Sequence, residues 1–151
     1  MRRKDKEITD RQAIEDILKE AEVLRLAMVD DGEPYLAAMN FAYRDGALYM
    51  HSAREGRKIE ALKKNSRVAF QTETGVELVI EPGACNCTTR YASVFGTGRA
   101  FLVDDGAEKI KALDAIMEKH TGKTGFEYPE KALEKTLVIR VDIEAMTGKK
   151  S

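Results

Sequence analysis

The sequence predicts an α+β fold, an antiparallel β-barrel of six or seven strands with flanking helices. Three observations predict it. Apolar runs of strand length recur from Val23 to the last twenty residues, turn signals join most of them as hairpins, and helical periodicity is confined to three separate stretches. The layout fits a split barrel, and the same pattern also permits an open sheet backed by helices.

The chain has 151 residues, 43% hydrophobic and 34% charged, which supplies one core and too little length for two ordinary domains. One domain over residues 1–151 is expected. Such a chain buries roughly 70% of the surface its unfolded form exposes, so it needs no disulfide or structural metal. Lys plus Arg number 25 against 26 Asp plus Glu, a net charge of -1. No global positive field draws it to nucleic acid or acidic lipid, and neither partner is expected. No apolar run approaches a membrane span, and none follows the charged start. Cys85 and Cys87 are too close for an ordinary disulfide framework. The expected compartment is the cytoplasm.

Thr9 and Gln12 make a capping-box start, and Ile14, Ile17, Leu18 and Ala21 repeat at helical spacing, so residues 10–21 read as an amphipathic helix. Strands follow at 23–29, 34–43 and 47–52, joined by turns at 30–33 and 44–46, each with an Asp-Gly pair. A short helix over 57–64, with Ile59 and Leu62 inward, stops at Asn65 and Ser66. Val68 and Phe70 mark one face of the next strand. Further strands are expected at 77–81 and 92–103, separated by the Pro82-Gly83 turn and an irregular stretch over 84–90. Gly96 and Gly98 suggest a bend or a close backbone approach. Asp105 with Glu108 caps a helix that runs through Ile110, Leu113, Ile116 and Met117 and stops near Gly122. A polar loop is expected over 122–134. Leu137, Ile139, Val141 and Ile143 then alternate with polar neighbours or Val138, the period of a half-buried strand.

The chemistry concentrates between Leu48 and Leu62, where a strand, a polar loop and a helix start follow one another. Ser52 at a strand end, then Gly56, then Arg57 and Lys58 in a first helical turn assemble a hydroxyl, backbone N–H groups and two cations. A phosphate needs that set. Two cations at a helix N-terminus also oppose the helix dipole, a conflict that an anion removes. The bland reading of the same residues is a solvated basic face.

The run Tyr49-x-His51-Ser52-Ala53-x-x-Gly56-Arg57-Lys58 resembles the segment with which pyridoxamine 5′-phosphate oxidase-like proteins hold the FMN phosphate. The likeness extends along most of the chain. It includes the opening Met1-Arg2-Arg3-Lys4-Asp5, Pro34-Tyr35, Asn40 to Gly46, Thr88 to Gly96 and Ile143 to Lys149, all similar to the nitroimidazole-resistance branch. The resemblance implies an FMN-binding split β-barrel that works as a homodimer, with each FMN at the interface. It implies that Ser52, Arg57 and Lys58 bind the phosphate and that backbone around Ala38, Met39 and Asn40 borders the flavin ring. His51 falls where the branch places a histidine beside the flavin, so the resemblance makes it the candidate catalytic residue toward a nitro-substrate. Its bland reading is a local hydrogen bond at a strand end. His120 is expected to favour its helix terminus without chemistry.

Two departures stand out. Arg57 replaces a histidine common in the branch, and arginine is a competent phosphate ligand. Cys85 and Cys87 form a C-x-C in the irregular loop, but zinc normally takes four ligands and no second Cys or His cluster exists, so no metal is expected. No Walker loop, dinucleotide fingerprint or serine-histidine-carboxylate set is present. The expected function is a flavin-dependent oxidoreductase carrying electrons from NADH or NADPH to a small organic acceptor. The alternatives are a flavin-binding electron-transfer or sensing module, and a split barrel that holds haem or deazaflavin.

Overall fold

The computed structural model describes residues 3–151, so Met1 and Arg2 of the opening motif lie outside the described residues. After a 3-10 turn at Lys4–Lys6 come β1 (Glu7–Ile8), α1 (Arg11–Glu20), β2 (Val23–Asp30), β3 (Glu33–Asn40), β4 (Ala42–Arg44) and β5 (Ala47–Ala53). Then follow α2 (Arg57–Lys64), β6 (Arg67–Val79), β7 (Thr88–Val103), α3 (Gly106–Thr121), α4 (Glu130–Lys135) and β8 (Thr136–Lys150). The strands form one antiparallel sheet in the order β3-β2-β6-β7-β8-β5-β4, with β1 added to β8. This is the α+β split barrel. Among the described residues no helix is long and apolar enough to cross a membrane.

Local chemistry explains the two early hairpins. Asp31 and Gly32, and again Asp45 and Gly46, all have positive φ, the conformation of a two-residue type I′ turn, and each turn sets the register of the strands beside it. Sheet order explains how the barrel closes. Its outermost strands, β3 and β4, are consecutive in the chain and joined only by Phe41, which is fully buried. The expected continuous strand over 34–43 therefore breaks at Phe41, because its ring must turn inward to fill the seam between the two ends of the sheet. The closure is covalent there and not a ladder.

Inside the barrel, Leu24, Leu26 and Met28 of β2, Leu48 and Met50 of β5, Val68 and Phe70 of β6, and Ile139 and Val141 of β8 form the core with Ile14, Ile17 and Leu18 of α1. Gly96 on β7 leaves room for the core ring of Phe70 beside the β8 backbone: a Cβ would collide with that ring and lie 2.7 Å from the Ala145 carbonyl.

Several expected boundaries move. Asp10, not Thr9, caps α1, its carboxylate accepting the Gln12 N–H at 3.0 Å. The strand expected at 77–81 is the continuation of β6 past an irregularity between Thr74 and Glu77, and β7 starts four residues early because it pairs with that extension. The loop over 122–134 ends in α4, and β8 runs on to Lys150 because β7 and β1 supply partners along its length. The cap at Asp105 and the left-handed stop at Gly122 are as expected.

Candidate functional site

The junction between β5 and α2 is built from alternation followed by a helix start. Leu48 and Met50 face the core while Tyr49 packs toward α3, so Ser52 points to the core side of β5 and His51 to the opposite face. His51 is exposed, and its ring makes no hydrogen bond among the described residues. The structure thus separates these neighbours by face. Register places them opposite Val138 and Leu137 of β8.

The helix begins at Gly56, whose φ of 118° and ψ of 168° lie in a region costly for any residue with a Cβ. A glycine cap has no side chain to satisfy the first turn, and no side-chain cap is made. Its carbonyl accepts from Ile59 N (2.9 Å) and Glu60 N (3.1 Å), which leaves the Arg57 and Lys58 N–H groups at the uncapped end. Ile59, Ala61 and Leu62 bury the inner face of α2 and hold that end still.

The two cations beside it differ. Arg57 is exposed, yet its Nε donates to Asp30 Oδ2 at 2.7 Å and its guanidinium stacks over Tyr35, 4.6 Å from the ring centroid. Only Nε is engaged with Asp30 among the described residues, so the two Nη nitrogens remain as an open fork. Asp30 thus supplies part of the anion that the dipole conflict requires. Lys58 has no ion pair and no hydrogen bond among the described residues, and partial burial pushes its amine below the usual lysine value. Sequence reading alone missed Asp30 as the partner of Arg57, since a turn aspartate 27 residues away carries no pairing signal.

The Arg57 contacts join α2 to the β2–β3 hairpin, and β3 carries the other expected site residues. Met39 is buried in the core, so only its backbone is available at the surface, whereas Ala38 and Asn40 face outward. Register then defines what lies beside them. Ala38 pairs with Arg25, Arg25 with Gln71, Gln71 with Phe95 and Phe95 with Thr147. The next row is Leu36, Ala27, Ala69, Thr97 and Ala145. These two rows carry one charged side chain, Arg25, and they leave Leu36 60% and Phe95 53% exposed. Arg25 is held there by Glu73 at 2.8 Å.

The residues 10–150 match the sequence profile of the pyridoxamine 5′-phosphate oxidase family. The chain belongs to that family. It is 36% identical to a candidate 5-nitroimidazole antibiotic resistance protein from Bacteroides thetaiotaomicron, with a TM-score of 0.85 over 95% of this chain and 86% of the other. An FAD-binding protein from Mesorhizobium loti is 28% identical, with a TM-score of 0.69 over 94% and 95% of the two chains. A flavocytochrome from Azotobacter vinelandii shares the fold at 22% identity, with a TM-score of 0.84 over all of this chain and 72% of the other. No match is found among curated proteins.

The other expected residues are placed as follows. His120 sits on the last turn of α3 with Nε2 3.3 Å from the Phe41 carbonyl, tying α3 to the barrel seam. Cys85, in a short 3-10 turn over Ala84–Asn86, and Cys87, which follows that turn, are free and exposed at the tip of the β6–β7 hairpin. A cleft of about 440 Å³ lies between α1, β4 and α3, lined by Lys19, Tyr43, Arg44, Glu118 and Lys119. Within it Arg44 pairs with Glu118 at 2.8 Å, while Lys19 pairs with Asp16 at 3.5 Å and Lys119 donates to the Leu18 carbonyl at 2.9 Å.

Proposed function

We propose that this family member binds FMN as a homodimer and transfers electrons between a reduced nicotinamide, NADH or NADPH, and a small organic acceptor. The observation that carries the reading is Lys58, a partly buried cation with no anionic partner among the described residues, beside an uncapped helix start. An unpaired desolvated charge is costly, and a bound phosphate removes the cost. The Ser52 hydroxyl, the Arg57 and Lys58 N–H groups, the free Nη fork of Arg57 and the Lys58 amine would hold it. The flavin ring would lie against Ala38, Asn40 and the Met39 backbone. The bound flavin supplies the redox chemistry, accepting electrons from one partner and delivering them to the other.

The outer face of β3, β2, β6 and β7 supports the dimer. Exposed Leu36 and Phe95 over a floor of small residues, next to the proposed ring site, are what a second copy would cover. His51, exposed and unbonded, would orient or protonate the acceptor. The test is the absorption spectrum of the purified protein, with heat release and identification of the chromophore. Released FMN supports the reading; released FAD, which the Mesorhizobium loti protein is described as binding, would change the cofactor. A colourless protein that cannot be loaded would overturn it. With flavin in place, His51→Ala should retain the cofactor and lose acceptor turnover; lost flavin with unchanged activity per bound flavin makes it a binding residue instead.

A further inference from the structure

The loop between β5 and α2 is only three residues long, and its first residue is tied to a different part of the fold. Arg54 grips Asp104 with both terminal nitrogens, Nη1 to Oδ1 at 2.7 Å and Nη2 to Oδ2. Asp104 Oδ1 also accepts from Lys109 Nζ at 2.7 Å. The Lys109 side chain is only 5% exposed, and its amine donates as well to the Leu133 carbonyl of α4 at 3.0 Å. A lone surface ion pair contributes little, because two long side chains must be ordered in water. Here the acceptor is already bonded to a buried amine. Burial holds Lys109, Lys109 holds the carboxylate, and the planar arginine fork meets a fixed partner bidentately.

We infer that Asp104 is a positioning residue for the cofactor phosphate, acting through Arg54 to hold the loop so that Ser52 and the start of α2 face one anion. The inference rests on the proposed phosphate site. Both ends of the loop are otherwise set independently, since Ala53 pairs with Thr136 of β8 while α2 packs on β2 and its Arg57 reaches Asp30. Nothing else among the hydrogen bonds of the described residues fixes the Arg54 to Gly56 stretch laterally against α3. The carboxyl of Asp104 is held well below the usual carboxylate range, first by Arg54 and then by Lys109, so the tie persists through neutral and mildly acidic pH.

Arg54 is a cation beside the site, so direct contact with phosphate is the competing role, and Asp104 distinguishes the two. Releasing Arg54 by Asp104→Asn would strengthen FMN binding if Arg54 were a ligand and weaken it if Arg54 is an anchor. The full-length flavin-free protein is titrated with FMN and with riboflavin, which lacks the phosphate. Asp104→Asn and Arg54→Ala are each expected to raise the FMN Kd roughly tenfold and leave riboflavin unchanged, with the double variant no worse than either. Asp104→Asn also strips the buried Lys109 of its anionic partner, leaving it the Leu133 carbonyl, and can unfold the chain. Arg54→Ala keeps that pair, and amide hydrogen exchange over residues 53–58 of its flavin-free form should rise. Unchanged exchange, unchanged or tighter FMN binding in Asp104→Asn, or equal losses for both flavins would overturn the inference. A wild-type protein that binds FMN no tighter than riboflavin overturns the phosphate site first and the inference with it.

Discussion

Replacing Lys58 by methionine should separate the cost of a cation from its use. In the flavin-free protein the amine is partly stripped of water and faces no carboxylate among the described residues, and its ionisation is pushed below the ordinary lysine value by burial. The folded state therefore holds this proton less tightly than the unfolded chain. Unfolding takes up protons between the lowered value and the ordinary one, so stability rises with pH across that window, and at neutral pH the charged amine is a net cost. Lys58→Met should leave thermal stability unchanged or raised. For FMN the sign reverses. A hydrogen bond to a charged group is worth about 1.5 to 3 kcal/mol, which at about 1.36 kcal/mol per decade is roughly a ten- to hundredfold rise in Kd. Riboflavin binding should not move. Arg57→Ala should cost less, because that guanidinium already shares its charge with Asp30. Titration of flavin fluorescence at fixed ionic strength reads each of these affinities. Wild-type FMN affinity in Lys58→Met, or matched losses for FMN and riboflavin, would refute the reasoning.

Lys119 provides a second pH probe. Burial lowers its amine from 10.5 to about 8, while Nζ donates to the Leu18 carbonyl at 2.9 Å and lies over Phe41, 3.4 Å from the ring centroid. The same sign applies: unfolding stability gains from this residue between about pH 8 and pH 10.5, and denaturant melts of Lys119→Met should lack that rise, whereas parallel profiles would count against it. Gly96→Ala should destabilise by about 1–3 kcal/mol or more, since its methyl must displace the Phe70 ring; a melting temperature equal to wild type would show that the ring yields freely. Phe95→Lys on the outer face should shift the protein toward monomer in sedimentation and weaken flavin binding with it, and an unchanged dimer would place the interface elsewhere.

Much of the fold was legible because its signals are local. The two Asp-Gly turns, the Asp105 cap and the Gly122 stop depend on backbone preferences of a few adjacent residues, and each is found where expected. The order Ser52, Gly56, Arg57, Lys58 was legible for the same reason: a strand end, a permissive glycine and a helix start are consecutive. Misplaced boundaries are those decided by a distant partner. Thr88 to Tyr91 carry no clear strand pattern, yet they extend because the end of β6 lies opposite with unpaired backbone. Tail residues beyond Glu144 extend because both β7 and β1 need the ladder.

Residue identity and spacing were enough to mark which groups suit a phosphate, since capping and turn chemistry are written in neighbouring positions, and the family came from the resemblance of that segment and its neighbours to known sequences. They were not enough to say which cation is free. Arg57 and Lys58 are adjacent and alike in sequence, and only the packing of α2 against the β2–β3 hairpin gives one of them to Asp30 and Tyr35 and leaves the other unpaired. The same holds for Arg54, Asp104 and Lys109, gathered from two loops and a helix. Ion pairs across 27 or 50 residues are set by how elements stack, a property of the folded barrel with no local trace in the chain.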